Sequence, residues 1–364
     1  MDATELISGK YWASEEVDIR LNPAVSFDTG ELRKSILERG ISSSVVLATS
    51  GSSGRPRWVV LSKDALLVSA KHVNEWCGIT EEDIWLGGLS TFHVGGLGIY
   101  CRAYLSRSKV LPFPWNRWTR DGSTFLEAVR GATLTSLTPV HLHDLVTAKV
   151  KCPASLRGVF IGGGALSTGL AGKATELGWP LWTTYGMTEA CSQIATSLEG
   201  STDFLPVLPH WETVVSDNGE LQIKGASLMS GYFDEHGQWL TGIGEDGFYT
   251  TGDLVELQNS QLRPIGRADD LVKILGELVS PLKLENALSQ IVDQRVVILV
   301  IPEPRRGAVL RAVFEGEIPK AVEEWNQNLP PFEKIDSFHC TTDFPRTEVG
   351  KIDRIALAES LGFL

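Results

Sequence analysis

The sequence predicts an α/β protein, with a large N-terminal α/β domain over residues 1–266 and a small C-terminal α+β domain over residues 267–364. Between residues 45 and 184, apolar runs of strand length alternate with segments of helical periodicity, which is typical of parallel sheets. After about residue 210, short alternating runs separated by turn residues indicate an additional β region. The final stretch mixes strands and helices in the manner of a small separate domain.

The N-terminal elements follow from local patterns. Residues 31–39 have the apolar spacing of a helix, and Gly40 is a suitable stop. Two β-rich runs flank a polar loop within residues 45–60, and Ser62 is placed to cap a helix after the second run. The remaining predicted elements are strand 84–90, strand 110–113, helix 124–130, strand 133–137, helix 141–148, strand 159–161 and strand 181–184.

The later elements are shorter. In the β region, strand-like runs are predicted at residues 220–224, 247–249, 254–257 and 261–265. In the C-terminal part the predicted elements are strand 272–275, helix 282–291, strand 296–301, helix 321–328 and strand 338–340. No internal repeat and no low-complexity linker is present in the sequence.

Composition excludes several classes of protein. The net charge of −12 and the lack of a lysine or arginine run argue against a nucleic-acid binder. Five widely spaced cysteines without a CxxC pair indicate neither a zinc site nor a disulfide framework, so a reducing cytoplasm is expected. The acidic first residues lack a signal-peptide core, and no apolar run reaches the ~20 residues of a membrane span. A homo-oligomer is compatible with this composition.

The loop within residues 45–60 combines hydroxyls, glycines and positive charge. Hydroxyls, backbone N–H groups and guanidinium groups together suit a polyphosphate, and glycine lets the main chain approach a ligand. A serine-rich hairpin turn explains the same composition equally well. The residues concerned are Thr49, Ser50, Gly51, Ser52, Ser53, Gly54, Arg55 and Arg57.

Two familiar nucleotide motifs are absent from the sequence, and a metal motif is disfavoured. A Walker A loop cannot be placed on the serine-rich loop, and residues 162–167 have serine where GxGxxG requires its last glycine. The run His141-Leu142-His143-Asp144 is reminiscent of metal ligands. Because positions i and i+2 point to different helix faces, solvated polar groups are the favoured interpretation of this run.

Polar motifs stand where the later strands end. Residues 185–189 supply Glu189 beside a hydroxyl, and a carboxylate of that kind suits Mg²⁺. Residues 247–253 end in Asp253 in a glycine-flanked turn, suited to accept hydrogen bonds from ribose hydroxyls. Residues 265–270 combine Arg267 with two acids, and residues 345–354 contain Lys351 directly after a glycine. Any one of these motifs alone is equally compatible with a turn bearing solvated charges.

The order of these motifs resembles that of the adenylate-forming superfamily, which includes acyl-CoA synthetases, luciferases and nonribosomal peptide adenylation domains. The resemblance extends from about residue 45 to residue 354. It implies an AMP-forming acid–thiol ligase that uses ATP, Mg²⁺ and coenzyme A and takes a small carboxylic acid as substrate. It also implies an N-terminal ATP- and acyl-binding domain, with a mobile C-terminal lid that rotates between two half-reactions.

The resemblance also implies roles for individual residues. The loop from Thr49 to Arg57 would close over the β- and γ-phosphates of ATP, and Lys351 would reach the α-phosphate and the attacking carboxylate. Asp269 matches the hinge between the domains. The other implied contacts are the adenine and acyl pocket for Gly162, Gly163, Gly164 and Ala165, adenine for Tyr185 and Gly186, the α-phosphate for Thr188, Mg²⁺ for Glu189, and the ribose for Asp253 and Arg267.

The sequence departs from the family pattern in three places. Arg57 stands where the phosphate loop of the family has lysine, which keeps the charge but changes its geometry. Residues 273–281 match the glycine-containing turn of the family only loosely. The segment before the phosphate loop is also shorter than in most family members, so part of the usual N-terminal subdomain is expected to be missing or reduced.

Residues 92–97 and 136–139 look most like the o-succinylbenzoate–CoA ligases of menaquinone and phylloquinone biosynthesis. His93 would then stack on or bond to the acyl substrate, although a structural histidine in a glycine-rich turn is an equal alternative. Arg102 and Thr138 are candidate donors to the second carboxylate of such a substrate. The alternatives are another aryl- or acyl-CoA ligase, a non-catalytic nucleotide-binding relative, and an amino-acid adenylating enzyme. The last would place an acid near Phe92, and none is found there.

Overall fold

The computed structural model describes residues 3–23, 29–50, 56–234, 236–292, 294–347 and 352–364. Within these residues the strands are β1 (Asp18–Arg20), β2 (Ser44–Ser50), β3 (Pro56–Ser62), β4 (Ile84–Gly87), β5 (Lys109–Pro112), β6 (Leu134–Leu137), β7 (Gly158–Ile161), β8 (Leu181–Met187), β9 (Ser192–Ser197), β10 (Leu205–Pro206), β11 (Glu212–Val215), β12 (Glu220–Lys224), β13 (Gly231–Phe233), β14 (Trp239–Leu240), β15 (Tyr249–Gln258), β16 (Gln261–Arg267), β17 (Val272–Ile274), β18 (Glu277–Val279), β19 (Val296–Glu303), β20 (Gly307–Glu315) and β21 (Ile335–Thr341).

Helices separate many of these strands. The α-helices in the described ranges are α1 (Gly9–Trp12), α2 (Gly30–Glu38), α3 (Lys63–Cys77), α4 (Val94–Ser106), α5 (Ser123–Ala128), α6 (Pro139–Thr147), α7 (Thr168–Glu176), α8 (Pro281–Ile291), α9 (Ala321–Gln327) and α10 (Arg354–Ser360). Short 3-10 turns lie at Ala3–Ile7, Trp115–Arg117 and Thr188–Ala190. Among the described helices, none combines the length and apolarity needed to cross a membrane.

A six-stranded sheet with the order β5-β4-β6-β7-β8-β9 organises the centre of the chain. Its neighbours pair in parallel from β5 to β8, and β9 is antiparallel to β8. The inner strands β6 and β7 are buried throughout, because helices and a second sheet cover both faces. The predicted parallel α/β architecture is therefore confirmed. The carboxyl ends of β6, β7 and β8 lie at one edge of this sheet, where ligands bind in such folds.

The phosphate-loop strands belong to a second sheet, with the order β1-β2-β3-β13-β14. β2 and β3 form an antiparallel pair that extends to Ser50 opposite Pro56. Along β2, Val45 and Leu47 pack into the main core, whereas Val46 packs into a smaller cluster on the opposite face. Because both faces of the strand are covered, its apolar run is continuous rather than alternating.

The β region folds as a five-stranded antiparallel sheet with the order β10-β16-β15-β12-β11, as predicted. One detail of the prediction is wrong: residues 247–249 and 254–257 do not form two strands, because a single strand, β15, begins at Tyr249 and continues through residues 254–257. Gly252 has a φ of +73° within it, and β15 bulges against β12 between Thr250 and Leu254, which pair with Gln222 and Glu220. Asp253 thus lies in a bulged strand and not in a turn.

The strands from β17 onward pair only with one another among the described residues. They form the β17-β18 hairpin and a sheet with the order β19-β20-β21. This sheet is buried on both faces, with Ile298 packing in one apolar cluster and Val297 in the other. β20 and α10 were not predicted from the sequence. We use the name C-terminal unit for residues 272–364.

Helix caps predicted from the sequence are partly confirmed. The hydroxyl of Ser62 accepts a hydrogen bond from the backbone N–H of Ala65 at 3.1 Å, which caps α3. The segment before residue 44 contains more structure than predicted, because α1 and β1 precede α2. Lys63 holds α1 in place, since its buried ammonium donates to the backbone carbonyls of Tyr11 and Ser14 at 2.9 and 2.7 Å.

Candidate active site

The loops that follow three parallel strands meet at one edge of the central sheet. Thr138 follows β6, Gly162 follows β7, and Tyr185 lies near the end of β8. A Cβ atom built on Gly162 would lie 2.4 Å from the hydroxyl of Thr184, so only glycine fits at this crossing. Next to it, Gly163 adopts a φ of +77°, which again favours glycine. The sequence-predicted residues 162–165 therefore border Thr138 and the end of β8.

A hydrogen-bonded cluster joins this edge to the antiparallel sheet. The hydroxyl of Tyr185 donates to Oδ2 of Asp253 at 2.6 Å, and the guanidinium of Arg267 donates to Oδ1 at 2.9 Å. Burial raises the pKa of the Asp253 carboxyl, and the bonds from Tyr185 and Arg267 oppose that rise. Burial and the Asp253 charge together raise the pKa of Tyr185 well above its ordinary value. Two of the roughly four lone-pair positions of the carboxylate are used, so it retains capacity for ligand hydroxyls.

The same guanidinium binds the predicted hinge residue. Arg267 donates from Nε to Oδ1 of Asp269 at 2.7 Å and from Nη2 to Oδ2 at 3.2 Å. Arg267 therefore bridges the carboxylates of Asp253 and Asp269. The hydrogen bond to Asp269 is the main cause that raises the pKa of Arg267, and the charge of Asp253 adds to it. The residue therefore stays charged. The residue at the end of β16 thus connects the cluster to the chain leading into the C-terminal unit.

Glu189 lies beside this cluster on the 3-10 turn after β8. Burial raises the pKa of its carboxyl, and among the groups that act on it are the charges of Arg267, Asp253 and Arg57. Its carboxylate enters no ion pair within the described ranges. A half-buried carboxylate without a basic partner is suited to a cation, and Mg²⁺ commonly takes one or two protein carboxylates together with substrate phosphates. No group of three or more His, Cys, Asp or Glu residues in the described chain is arranged to hold a metal by itself.

Only the flanks of the phosphate loop are described. Thr49 pairs with Arg57 across the β2-β3 hairpin, and the Arg57 guanidinium lies 5.4 Å from the centre of the Tyr232 ring. Arg57 is exposed and lies near enough to Glu189 to lower its pKa, so this end of the hairpin faces the cluster. The predicted site residues outside the described residues are Gly51, Ser52, Ser53, Gly54 and Lys351; for Ser50 the backbone alone is described.

A close backbone crossing fixes the turn that carries Thr188 and Glu189. A Cβ atom on Gly186 would lie 1.7 Å from the carbonyl oxygen of Ser192, and the β8-β9 pairing shifts register just before Gly186. Cys191 and Ser192 have φ values of 51° and 118°, both unusual for residues other than glycine. Such strain persists where surrounding structure imposes it and is common at functional sites. In the sequence, the presence of Gly186 itself is the only indication of this requirement.

Two of the residues predicted to contact the acid, His93 and Arg102, belong to α4 and its N-cap. His93 is the N-cap residue of this helix, is half-buried and lies beside Phe92, with 4.6 Å between the ring centres. Arg102 is buried, and its guanidinium lies 5.1 Å from the ring centre of Trp85 and 5.0 Å from that of Phe160. Burial lowers its pKa to about 10. No carboxylate pairs with Arg102 among the described residues, and a cavity of about 10 Å³ adjoins it between α4 and Ser192.

The interpretation of residues 141–144 as solvated polar groups is wrong. Asp144 is buried with 4% of its side chain exposed, and it accepts two hydrogen bonds at 3.0 Å from the guanidinium of Arg346. His141 is half-buried and completes a capping box with Thr138 at the start of α6. Burial lowers the pKa of His141 to about 4, so it is neutral. Asp144 is covered by Arg346, which lies 202 residues away in the sequence. Local periodicity cannot reveal a contact of this kind.

The chain is similar to a known protein family, to individual relatives and to solved structures. The family model described as AMP-binding enzyme matches residues 42–233. The 2-succinylbenzoate–CoA ligase of Escherichia coli (strain K12) is 31% identical over 242 residues, which are 66% of this chain and 51% of that protein. The ligase of the same name from Enterococcus faecalis (strain ATCC 700802 / V583) is 28% identical over 335 residues, covering 84% of this chain and 67% of that protein. The chain thus spans between half and two thirds of the length of these relatives.

Solved structures with similar folds include two proteins of this kind. An E. coli MenE variant with bound OSB-AMS has a TM-score of 0.75 and 26% identity, covering 87% of this chain and 68% of that chain. The Bacillus subtilis o-succinylbenzoate coenzyme A synthetase (MenE) in complex with ATP and magnesium has a TM-score of 0.73 and 26% identity, covering 86% of this chain and 69% of that chain. The mixed α/β fold is shared with both.

The crossing at Gly186 generates a stability prediction. We expect Gly186→Ala to lower the free energy of unfolding by about 3 kcal/mol, because the new methyl group must displace the β9 backbone. Gly172→Ala is the matched control: it lies within α7, a Cβ there has open space, and alanine should stabilise the helix by up to about 1 kcal/mol. Urea unfolding followed by circular dichroism measures both. Equal stability of the two variants would show that the β8-β9 crossing is not as close as described.

Proposed function

The chain belongs to the AMP-binding enzyme family, and from this we propose that it is an ATP-dependent acid–CoA ligase that acts through an acyl-adenylate. The observation that carries this proposal is the convergence of Tyr185, Asp253 and Arg267 with Glu189, whose carboxylate has no ion-pair partner among the described residues. One part of this cluster suits a ribose and the other a metal-bound phosphate.

The nucleotide would lie along the edge of the central sheet. We assign the adenine to the ring of Tyr185 and the glycine loop 162–165, and the ribose hydroxyls to Asp253 and Arg267. Asp253 is fixed by two hydrogen bonds, so it would meet the ribose without reorganisation. The β- and γ-phosphates would fall under the loop between Thr49 and Arg57. Arg57 would supply a fixed charge there in place of the lysine expected from the family.

Glu189 would hold Mg²⁺, and Thr188 beside it would contact the α-phosphate. The bound ion would neutralise phosphate charge, which otherwise repels the carboxylate of the acid. Burial raises the pKa of Glu189 in spite of the charges of Arg267 and Arg57, and a bound divalent cation would stabilise its carboxylate. The acid oxygen then bonds to the α-phosphorus as pyrophosphate leaves. In the second half-reaction the CoA thiolate bonds to the acyl carbon as AMP leaves.

The acid most consistent with the site has a second anionic group. Arg102 is a buried cation that no described carboxylate neutralises, and an isolated buried charge is costly. A carboxylate on the substrate would supply its counter-charge, in addition to the carboxylate that reacts. The acid named for the relatives, o-succinylbenzoate, has a second carboxylate and fits this requirement. Another aryl- or acyl-CoA ligase substrate remains the alternative if it also carries a second negative charge.

Two domain orientations would serve the two half-reactions. We place the domain boundary at Arg267 and the hinge at Asp269, because Arg267 ends the last strand of the antiparallel sheet. Lys351 would act in the first orientation, as a mobile charge shared between the α-phosphate and the attacking carboxylate. Rotation would withdraw it and open the acyl-adenylate to CoA.

The proposed function is tested by ATP- and CoA-dependent thioester formation with a panel of acids. We expect activity with o-succinylbenzoate and much lower activity with benzoate, which has one carboxylate. We expect Arg102→Met to lower kcat/KM for o-succinylbenzoate about 100-fold and for benzoate less than about threefold, because only the first uses the buried charge. A folding defect would lower both values equally. Wild-type activity on simple benzoic or fatty acids alone would overturn the substrate assignment.

The role of Lys351 is tested by separating the half-reactions. We expect Lys351→Ala to lower pyrophosphate release from acid and ATP at least about 100-fold, since it removes charge from the transition state. Thioester formation from a supplied acyl-adenylate should change less than about threefold, because the lysine acts in the other orientation. Equal loss of both rates would contradict the two-orientation mechanism.

A further inference from the structure

A buried ion pair links the C-terminal unit to α6, the helix that Thr138 caps. Arg346 makes two parallel hydrogen bonds to Asp144, and the exposed fractions of the two side chains are 18% and 4%. The indole N–H of Trp118 donates to the same carboxylate at 3.0 Å. Three donors therefore satisfy Asp144, and Arg346 alone comes from the C-terminal unit. Parallel paired bonds of this kind fix orientation as well as distance.

The remaining contacts around this pair do not replace it. Arg120 pairs with Asp343, but both side chains are substantially exposed, with 58% and 38% of their surface accessible. Exposed pairs contribute little. Gly169 on α7 faces the backbone of Ser289 on α8. Among the described contacts between the C-terminal unit and α6, the Asp144–Arg346 pair is the one with buried, directional geometry.

Arg346 is also tied to the residue that follows Lys351. Arg346 and Ile352 form an antiparallel bridge, and the N–H of Asp353 donates to the carbonyl of Pro345 at 2.8 Å. Lys351 immediately precedes Ile352 in the sequence. Docking Arg346 on α6 therefore also docks the chain directly adjacent to Lys351.

The docking point lies close to the proposed acyl site. Asp144 is about 7.5 Å along the helix axis from Pro139, the first residue of α6. Pro139 in turn lies against Gly164, since a Cβ on that glycine would be 3.7 Å from its ring. The described orientation thus brings the Arg346–Ile352 bridge to the edge of the sheet where the acyl-adenylate would form.

We propose that Asp144 is a positioning residue for the adenylation half-reaction, which holds the C-terminal unit in the described orientation by binding Arg346. This inference rests on the proposed function. An ion pair suits a contact that must form and break in each cycle, because water solvates both charges again when the units separate. Two apolar surfaces of similar area would gain no such solvation when the units separate, so they would resist separation. Asp144 thus acts on the first half-reaction and has no task in the second.

The test compares variants in the two half-reactions measured separately. We expect Asp144→Asn to lower pyrophosphate release from acid and ATP about tenfold or more, and to leave thioester formation from supplied acyl-adenylate within about twofold. Arg346→Lys keeps the charge but loses the paired bonds, so its effect should be smaller than that of Arg346→Ala. Equal loss of both half-reactions, or no loss in either, would overturn the proposal.

The matched control is a buried arginine–carboxylate pair within the C-terminal unit. Glu285 binds Arg354 through two bonds of 2.6 and 2.8 Å, with 9% of the Glu285 side chain exposed. Glu285→Gln should reduce stability without changing the ratio of the two half-reaction rates. A change in that ratio as large as for Asp144→Asn would show that any buried charge loss acts in this way, and would overturn the proposal.

A distance measurement tests the ion pair without relying on activity. Spin labels at Glu127 on α5 and Glu323 on α9, in a variant lacking Cys152 and Cys340, report the orientation of the C-terminal unit. We expect one main distance with Asp144 present and a second population in Asp144→Asn. Identical distributions would overturn the proposal. If the wild type forms no thioester with any acid but the distributions differ, the proposed function fails while the role of the ion pair stands.

Discussion

The architecture of the site depends on one guanidinium group. Arg267 binds the carboxylate of Asp253 on one side and that of Asp269 on the other, while Tyr185 binds Asp253 from the central sheet. Segments from two sheets and from the chain leading into the C-terminal unit therefore meet at a single cation. Because a buried carboxylate is stable only when its charge is compensated, Asp253 fixes the distance between the sheets. Glu189, which lacks such compensation in the described chain, lies directly beside it.

Charge compensation also distinguishes the groups that are structural from those that would meet ligands. Asp144 and Asp253 have their donors within the protein. Glu189 and Arg102 are buried or nearly so without an oppositely charged partner among the described residues. Glu189 is negative and lies beside the cluster of Tyr185, Asp253 and Arg267, whereas Arg102 is positive and lies on α4. A divalent cation and a second substrate carboxylate are the complementary charges, which is why these two residues carry the ligand assignments.

The sequence predicts the strands of the site well, because each polar motif follows an apolar run that is buried on both faces. The parallel strands leading to Thr138, Gly162 and Tyr185 are of this kind. Prediction from the sequence fails where the environment of a residue is formed by segments that are distant in the sequence. The bulged strand that contains Asp253 depends on pairing with β12, and the ion pair of Asp144 depends on Arg346. The close approach of Ser192 to Gly186 likewise exists only in the folded sheet.

The proposed ligase activity requires direct transfer of AMP to the carboxylate of the acid. The most direct test uses an acid whose reacting carboxylate carries ¹⁸O, with mass spectrometry of the nucleotide after thioester formation. Attack of the carboxylate on the α-phosphate predicts AMP with one ¹⁸O atom and unlabelled pyrophosphate, because the bridging oxygen of the acyl-adenylate stays with phosphorus when the thiol attacks carbon. ADP as the product, or AMP without label, would contradict the account.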